Sequence, residues 1–193
     1  MDQKEVEKGN PIPHLSSMRF GTFTLLVPLV LVLLAGCQKP AVRAPEPADP
    51  STNEQPFHLP HAQSNLPVAK LWVGAEELKT EICLTPQQLA TGMMFRTNMA
   101  EDAAMLFPFS APHRAAFYMK NTTVPLSAAY IDPEGVILEI HDLKPLDETT
   151  VQADSDRVQF VLEVSHGWFA RHQISTGAVV RTPQGSLRQM FRR

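Results

Sequence analysis

The chain has 193 residues, of which 44% are hydrophobic and 19% are charged, and its formal net charge is −3. This balance is that of a folded protein with room for one ordinary domain, and it excludes a chain that is disordered throughout. Apart from the last residues, the chain has no basic patch rich in aromatic side chains, so we expect no binding to nucleic acid.

The N-terminal region carries a predicted export signal. The run FGTFTLLVPLVLVLLAGCQ begins at Phe20, follows Arg19 and contains no charged residue. Its apolar part falls short of the about 20 residues that span a bilayer, but it suits the hydrophobic region of a signal peptide. Residues 1–17 are not net positive, as the start of a signal normally is, so Met18 is an alternative start. We predict a signal peptide over residues 1–36.

The end of this run resembles the lipobox of bacterial lipoproteins. It reads Leu34-Ala35-Gly36-Cys37, and in a lipobox the Cys thiol is acylated and the signal is cut just before it. Several acyl chains, at about 0.8 kcal/mol per buried CH₂, hold a protein firmly on a membrane. We therefore predict lipidation of Cys37 and a bacterial envelope protein that faces the periplasm. The residue after it is Gln38 and not Asp, which favours the outer membrane. The alternatives are an uncleaved helical anchor and a plain secretory signal with a chance Cys.

A disordered, Pro-rich tether is predicted over residues 37–66. The segment is rich in Pro, Ala, Ser, Gln and acidic residues and has no apolar period. His58 and His61 lie in it, but a metal site needs three or four positioned ligands, so we expect both to be solvated. We predict no metal site and no cofactor.

Residues 67–183 are predicted to form a β domain. Short apolar segments alternate with turn signals, a rhythm typical of β structure. Val68–Gly74 and Leu78–Thr85 predict a hairpin, and five further segments predict strands, namely AMLFPF, AAFYM, LSAAYID, VILEIH and VQFVLEV. We expect a mainly β, single compact jelly-roll-like sandwich or barrel of about seven or eight short strands, because both arrangements cover strand edges.

Two short helices are predicted as well. Thr85 followed by Pro86 is typical of a helix start, and this helix should run to about Gly92. Ser165 is expected to cap a second helix within HGWFARHQ. Beyond it, residues 184–193 are expected to form a solvated basic tail.

The sulfur-containing residues allow two interpretations. Cys83 has no partner for an intrachain disulfide if Cys37 carries lipid, and we expect it to be a buried, inert thiol. Five of the eight methionines lie close together, at Met93, Met94, Met99, Met105 and Met119. Thioethers select copper(I), but the irregular spacing favours packing in the core over a copper-handling module.

Standard catalytic motifs are absent from the sequence. It contains no Gly-x-Ser-x-Gly, no His-Glu-x-x-His and no Cys-x-x-Cys. Glu163 is the most interesting carboxylate, because it precedes a predicted helix at a strand end, where a side chain can reach a site. It is the weak candidate for a catalytic acid or base.

Several short motifs follow one another in a recognisable order. They are GMMFR at 92–96, MLF at 105–107, MKNT at 119–122, Pro125-Leu126, Ile131-Asp132 before Gly135, and Leu162-Glu163 before Gly167. This order resembles the domain of unknown function 192 (DUF192) family, whose pattern runs roughly G-L-M-x-R, G-M-L-F, M-K-N-T-x-x-P-L-D, I-D-x-x-G and L-E-x-x-x-G. The resemblance covers about Leu66 to Thr182. It implies a mainly β, jelly-roll-like fold and implies no biochemical activity.

The chain departs from this family pattern at two positions. Ala104 stands where the pattern has Gly, and Ser127 stands where it has Asp. A Ser hydroxyl cannot carry the charge of a carboxylate at neutral pH. A chemistry that needs that carboxylate is therefore less expected here.

The motif positions supply four polar candidates for ligand binding: Arg96, Lys120, Asn121 and Glu163. Arg and Lys would donate to an anionic or carbohydrate-like ligand, and Asn both donates and accepts. The alternative is that Lys120 pairs with Glu163 while Asn121 and Thr122 satisfy turn amides. We expect a binding or accessory module for a small or polymeric envelope ligand. The alternatives are an envelope hydrolase that uses Glu163 and, less expected, the copper module.

Overall fold

A computed structural model describes residues 57–191 of the chain. The predicted signal peptide, the predicted lipidation site Cys37 and the tether up to residue 56 lie outside the described residues. Within residues 57–191, no helix has both the length and the apolar character needed to cross a membrane.

The described residues form ten strands and three short helices. In chain order they are β1 (Val68–Val73), β2 (Glu76–Ile82), α1 (Pro86–Thr91), β3 (Ala103–His113), β4 (Ala116–Phe117), β5 (Leu126–Ile131), β6 (Ile137–Leu143), β7 (Val151–Gln152), β8 (Val158–Ser165), α2 (Trp168–Arg171), β9 (Val180–Thr182), β10 (Gly185–Ser186) and α3 (Leu187–Met190). The mainly β prediction is confirmed. The described residues form more strands than the seven or eight expected, because three of the ten strands have only two residues each.

One large sheet holds eight of these strands. Its order is β10-β9-β1-β2-β3-β8-β5-β6, and β4 and β7 form a separate two-stranded ribbon. Neighbouring strands are antiparallel except for β2 and β3, which run parallel and are joined through α1. The start of β6, at one edge of the sheet, also contacts the start of β9 near the other edge. Val136 and Val179 form an antiparallel bridge there, and the Ile137 N–H donates to the Ala178 carbonyl at 2.9 Å.

The sheet has a hydrophobic core on each face, as expected for strands whose side chains alternate. One core includes Met105, Phe107, Tyr130 and Val161, and we call this side the cavity face. The opposite core includes Leu106, Phe160 and Leu162 together with Trp168 of α2 and Leu187 of α3, and we call it the helix face. The central strands β3, β5 and β8 are therefore covered on both faces.

The first predicted helix is confirmed. Thr85 accepts a hydrogen bond from the backbone N–H of Gln88, the Gln88 side chain accepts from the Thr85 N–H, and Pro86 opens the helix. This reciprocal pattern satisfies two amides that a helix start leaves without partners.

The second predicted helix begins later than expected and lacks the predicted cap. α2 starts at Trp168, and its N-cap is Gly167, whose φ of +74° favours glycine. The Ser165 hydroxyl donates instead to the Glu101 carboxylate, 3.0 Å away. Ser165 is still part of β8, and this explains why its side chain does not reach the amides of α2.

Both ends of the domain extend further than the predicted boundaries. Before β1, Gln63 and Leu66 are buried although they belong to the predicted tether. After β9, where a solvated basic tail was expected, α3 buries Leu187, and Phe191 packs on the same core. The reason is local: Ser186 and Gln189 form a capping box, and residues four apart lie on one side of a helix.

Candidate functional site

A cavity of about 430 Å³ lies on the cavity face of the sheet. Its wall includes Leu89 of α1, Phe107 of β3, Phe117 of β4, Met119, Leu126 of β5 and Glu163 of β8. Small-molecule sites commonly have volumes of about 300–1,000 Å³ and mostly apolar walls with a few polar groups. The cavity has this character.

Glu163 is the carboxylate at this cavity. It lies opposite Met105 on β3 and Ala128 on β5, so its side chain points to the cavity face. Only 4% of its surface is exposed, and its Oε2 atom has no hydrogen-bond partner among the described residues. Burial raises the pKa of this carboxyl to about 8, because the charged form is poorly solvated. At neutral pH the group is therefore mostly protonated and can both donate and accept a hydrogen bond.

Aromatic rings make up much of the remaining wall. Phe107 and Phe117 meet edge to face with ring centroids 5.1 Å apart, and Phe109 stands 6.4 Å from Phe117. Gly92 allows α1 to approach these rings closely, since a Cβ at this position would lie 3.2 Å from the Phe107 ring. The cavity thus forms where a helix end, three strands of the large sheet and the β4–β7 ribbon meet.

Arg96 does not line this cavity. Its guanidinium forms an ion pair with Glu81 of β2 and donates to the Gln63 carbonyl, 3.1 Å away. Both partners of the ion pair are less than a third exposed, at 20% and 28% of their side-chain surfaces. Arg96 instead borders a separate cavity together with Gln63, Glu81 and Phe95.

Lys120 and Asn121 also lie outside the wall of the Glu163 cavity, although the preceding Met119 is part of it. Asn121 has a φ of +54°, which Asn tolerates better than most residues, and its carbonyl accepts from the Phe95 N–H at 2.8 Å. Asn121 thus lies in a turn, but its backbone carbonyl and not its side chain accepts this bond. Lys120 forms no ion pair with Glu163, whose Oε2 has no partner within residues 57–191. The structure does not bring the four predicted side chains to one cavity.

Gln63 makes buried contacts that the sequence does not predict. Its side-chain amide donates to the carbonyls of Gln88, at 3.1 Å, and Gly92, at 2.9 Å, and lies 3.6 Å from the Cys83 sulfur. These bonds fasten the segment before β1 to the end of α1, next to the cavity. The surrounding sequence HAQSNLP is polar and carries no signal of burial.

Cys83 is fully buried, as expected. Its pKa is raised to about 12, chiefly by burial and next by the nearby Glu163 charge. A thiol of this kind is not a nucleophile at neutral pH. Of the clustered methionines, Met93, Met94 and Met119 are buried and line the cavity. Among residues 57–191, no three His, Cys, Asp or Glu side chains are grouped so that they could hold a metal ion.

Both departures from the DUF192 pattern lie on the helix face. Ala104 belongs to the core of that face, and Ser127 lies opposite Val164, which belongs to it too. The buried Ser127 hydroxyl donates to Asp142 and accepts from the Gly167 N–H at 2.9 Å. Neither position is therefore part of the wall of the Glu163 cavity.

The fold and the cavity define a small, mainly β domain with a buried carboxyl at a ligand-sized cavity. The chain belongs to the DUF192 family: the family profile, described as "Uncharacterized ACR", matches residues 69–182. No curated protein matches the sequence significantly.

Two solved structures resemble the domain. A protein from Sinorhizobium meliloti 1021, provisionally described as a transcription regulator, is 28% identical with a TM-score of 0.60; the match covers 63% of this chain and 98% of that protein. A protein of unknown function from Novosphingobium aromaticivorans DSM 12444 is 30% identical with a TM-score of 0.59, covering 63% of this chain and 89% of that one.

Proposed function

We propose that the protein is a lipid-anchored envelope protein that binds a small ligand in the Glu163 cavity. The observation that carries this proposal is the unpartnered Glu163 Oε2 at the wall of a cavity of about 430 Å³. A buried polar atom without a partner costs about 1–3 kcal/mol, and a bound ligand would offset this cost. The cavity suits a small molecule or the end of a polymer.

We also propose that the protein lies in the bacterial cell envelope. Acylation of Cys37 would anchor the chain to a membrane, with the domain in the periplasm and the outer membrane favoured by Gln38. The polar side of the ligand is now expected at Glu163 and not at Arg96, because Glu81 already pairs with that guanidinium. A role in nucleic-acid binding is not proposed, since the chain has a net charge of −3.

A hydrolase that uses Glu163 as a general acid is the second candidate. A buried carboxyl with a pKa near 8 in a cavity is a property that catalytic acids share. Sugar hydrolysis by the common mechanism needs two carboxyl groups, one on each side of the glycosidic bond that is cleaved. Glu163 is the single carboxylate in the described wall of the cavity, so we favour binding over catalysis.

Native mass spectrometry of the full chain, released from bacterial membranes in mild detergent, tests ligand binding. The wild type should carry a bound small molecule. Ala90→Phe, which places a ring in the cavity from α1, should lose it, and Ala170→Phe should keep it because Ala170 is exposed on α2 away from the cavity. A wild type without bound mass, or an Ala90→Phe variant that retains it, would contradict the proposal. Palmitate labelling that Cys37→Ser abolishes tests the anchor separately.

A further inference from the structure

We propose that the Glu163 cavity selects organic ammonium ions, that is, ligands with a primary amino group on an apolar body. This inference rests on the proposed function and names the ligand class of the same site. Three features of the cavity support it: the charge of its wall, its aromatic rings and the Glu163 oxygen that has no partner among the described residues.

The cavity wall offers no cation to an anionic ligand. Its described lining contains no Lys, Arg or His: Lys120 follows Met119 of the wall without being part of it, and Arg96 is paired with Glu81. A bound carboxylate or phosphate would therefore lack a cationic partner and could accept only from neutral donors such as protonated Glu163, which is costly for a charge in an apolar site. The wall thus disfavours anions and leaves cations or neutral molecules.

The aromatic rings favour a cation over a neutral molecule. Phe107, Phe109, Phe117 and Tyr118 all line the cavity. The faces of such rings attract ammonium groups, with energies of about 0.5–2 kcal/mol each. An ammonium also supplies three N–H donors, of which one satisfies Glu163 Oε2.

Binding at neutral pH requires the transfer of one proton. The free carboxyl is mostly protonated, so an ammonium ion enters as Glu163–COOH loses its proton to solvent and becomes the carboxylate partner of the R–NH₃⁺ group. No other bond forms or breaks. The affinity should then rise about tenfold per pH unit while Glu163 is protonated in the free protein.

The other titratable groups near Glu163 do not obscure this dependence. Cys83, which follows β2, and Tyr130 on β5 are buried, and burial raises the pKa of both, to about 12 for Cys83. Both stay neutral in the range tested. Beyond Cys83, Arg96 and Glu81 neutralise each other, and on the cavity wall the remaining group is the Tyr118 phenol.

Isothermal titration calorimetry with three probes of matched shape tests the proposal. The probes are benzylammonium, benzyl alcohol and benzoate, each titrated into the full chain in detergent between pH 6 and 8. We expect benzylammonium to bind about tenfold or more tightly than the other two. At pH 6, measurements in two buffers should show about one proton released per bound ammonium.

Variants separate the ligand class from the binding site. Glu163→Gln should remove the preference for ammonium and the proton release, whereas Ala90→Phe should abolish binding of every probe and Ala170→Phe should change nothing. Benzoate or benzyl alcohol binding as tightly as benzylammonium, unchanged ammonium binding by Glu163→Gln, or no binding of any probe would each overturn the ammonium inference. The proposed function fails separately, if the co-purifying molecule is absent or survives Ala90→Phe.

Discussion

Glu163 and Ser127 lie on opposite faces of the central sheet. On β8 and β5, Glu163 faces Ala128 and Val164 faces Ser127, and side chains that face each other across an antiparallel pair point to the same side. Ser127 therefore contacts Asp142 and the start of α2, not the cavity. A carboxylate at position 127 would therefore lie beside the start of α2 and would not reach a ligand bound at Glu163.

Restoring the family residue should destabilise this protein. Ser127→Asp places a second carboxylate, at a buried position, beside the exposed Asp142, with which the Ser hydroxyl now bonds, and like charges repel. We expect a loss of about 1–3 kcal/mol in the free energy of unfolding, measured by urea denaturation. The double variant Ser127→Asp/Asp142→Ser should recover most of the loss. Equal stability of the single and double variants would contradict this account.

The raised pKa of Glu163 predicts a specific dependence of stability on pH. The folded protein holds this proton up to about pH 8, whereas the ordinary Glu value is 4.5. The contribution of protonated Glu163 to the free energy of unfolding is fully present below the ordinary pKa. It is lost as the pH rises towards the folded pKa, by roughly 1.4 kcal/mol for each pH unit between these two pKa values. The free energy of unfolding of Glu163→Gln, relative to the wild type, should therefore increase from pH 5 to pH 8. Glu148→Gln, the same change at an exposed site, should show no such trend.

Loss of Arg96 should weaken the fold and spare the cavity. Arg96→Met leaves the Glu81 carboxylate and the Gln63 carbonyl without their donor in a partly buried place. We expect a loss of about 1–3 kcal/mol in the free energy of unfolding. Binding of benzylammonium should stay within about twofold of the wild type. A complete loss of binding in a folded Arg96→Met protein would return Arg96 to the ligand site.

The segment before β1 should contribute to the stability of the domain. Gln63→Ala removes the donor to one buried and one partly buried carbonyl at the end of α1, so we expect a loss of about 1–3 kcal/mol in the free energy of unfolding. Ser64→Ala, at the exposed neighbour, is the matched control and should be neutral. If the two variants unfold at the same urea concentration, the contacts of Gln63 are dispensable.

The sequence predicts the parts of the fold that depend on local chemistry. The start of α1 depends on Thr85, Pro86 and Gln88, which are close together in the chain. The strands follow from the period of the apolar residues. The burial of Gln63 and the packing of α3 depend on contacts with residues distant in the chain, and a polar or basic segment gives no local sign of them. For this reason both ends of the domain extend further than predicted.

The candidate site, too, is only partly predictable from the sequence. Glu163 is identified as the carboxylate of interest by its place at a strand end, and the structure gives it a cavity. The order of the sequence motifs groups Arg96 and Lys120 with Glu163, but it does not show where these side chains point. The partner of Arg96 is Glu81, fifteen residues away, and a pairing between a strand and a loop follows only from the tertiary fold.

The protonation of Glu163 can be measured directly by ¹³C NMR of the full chain labelled at its Glu side-chain carboxyls, with Glu163→Gln to assign the resonance. We predict a titration midpoint near pH 8 in the free protein, in place of the ordinary 4.5, and a lower midpoint when benzylammonium is bound. A midpoint near the ordinary value that does not respond to any ligand would contradict the claim that Glu163 is a buried group with a ligand as its missing partner.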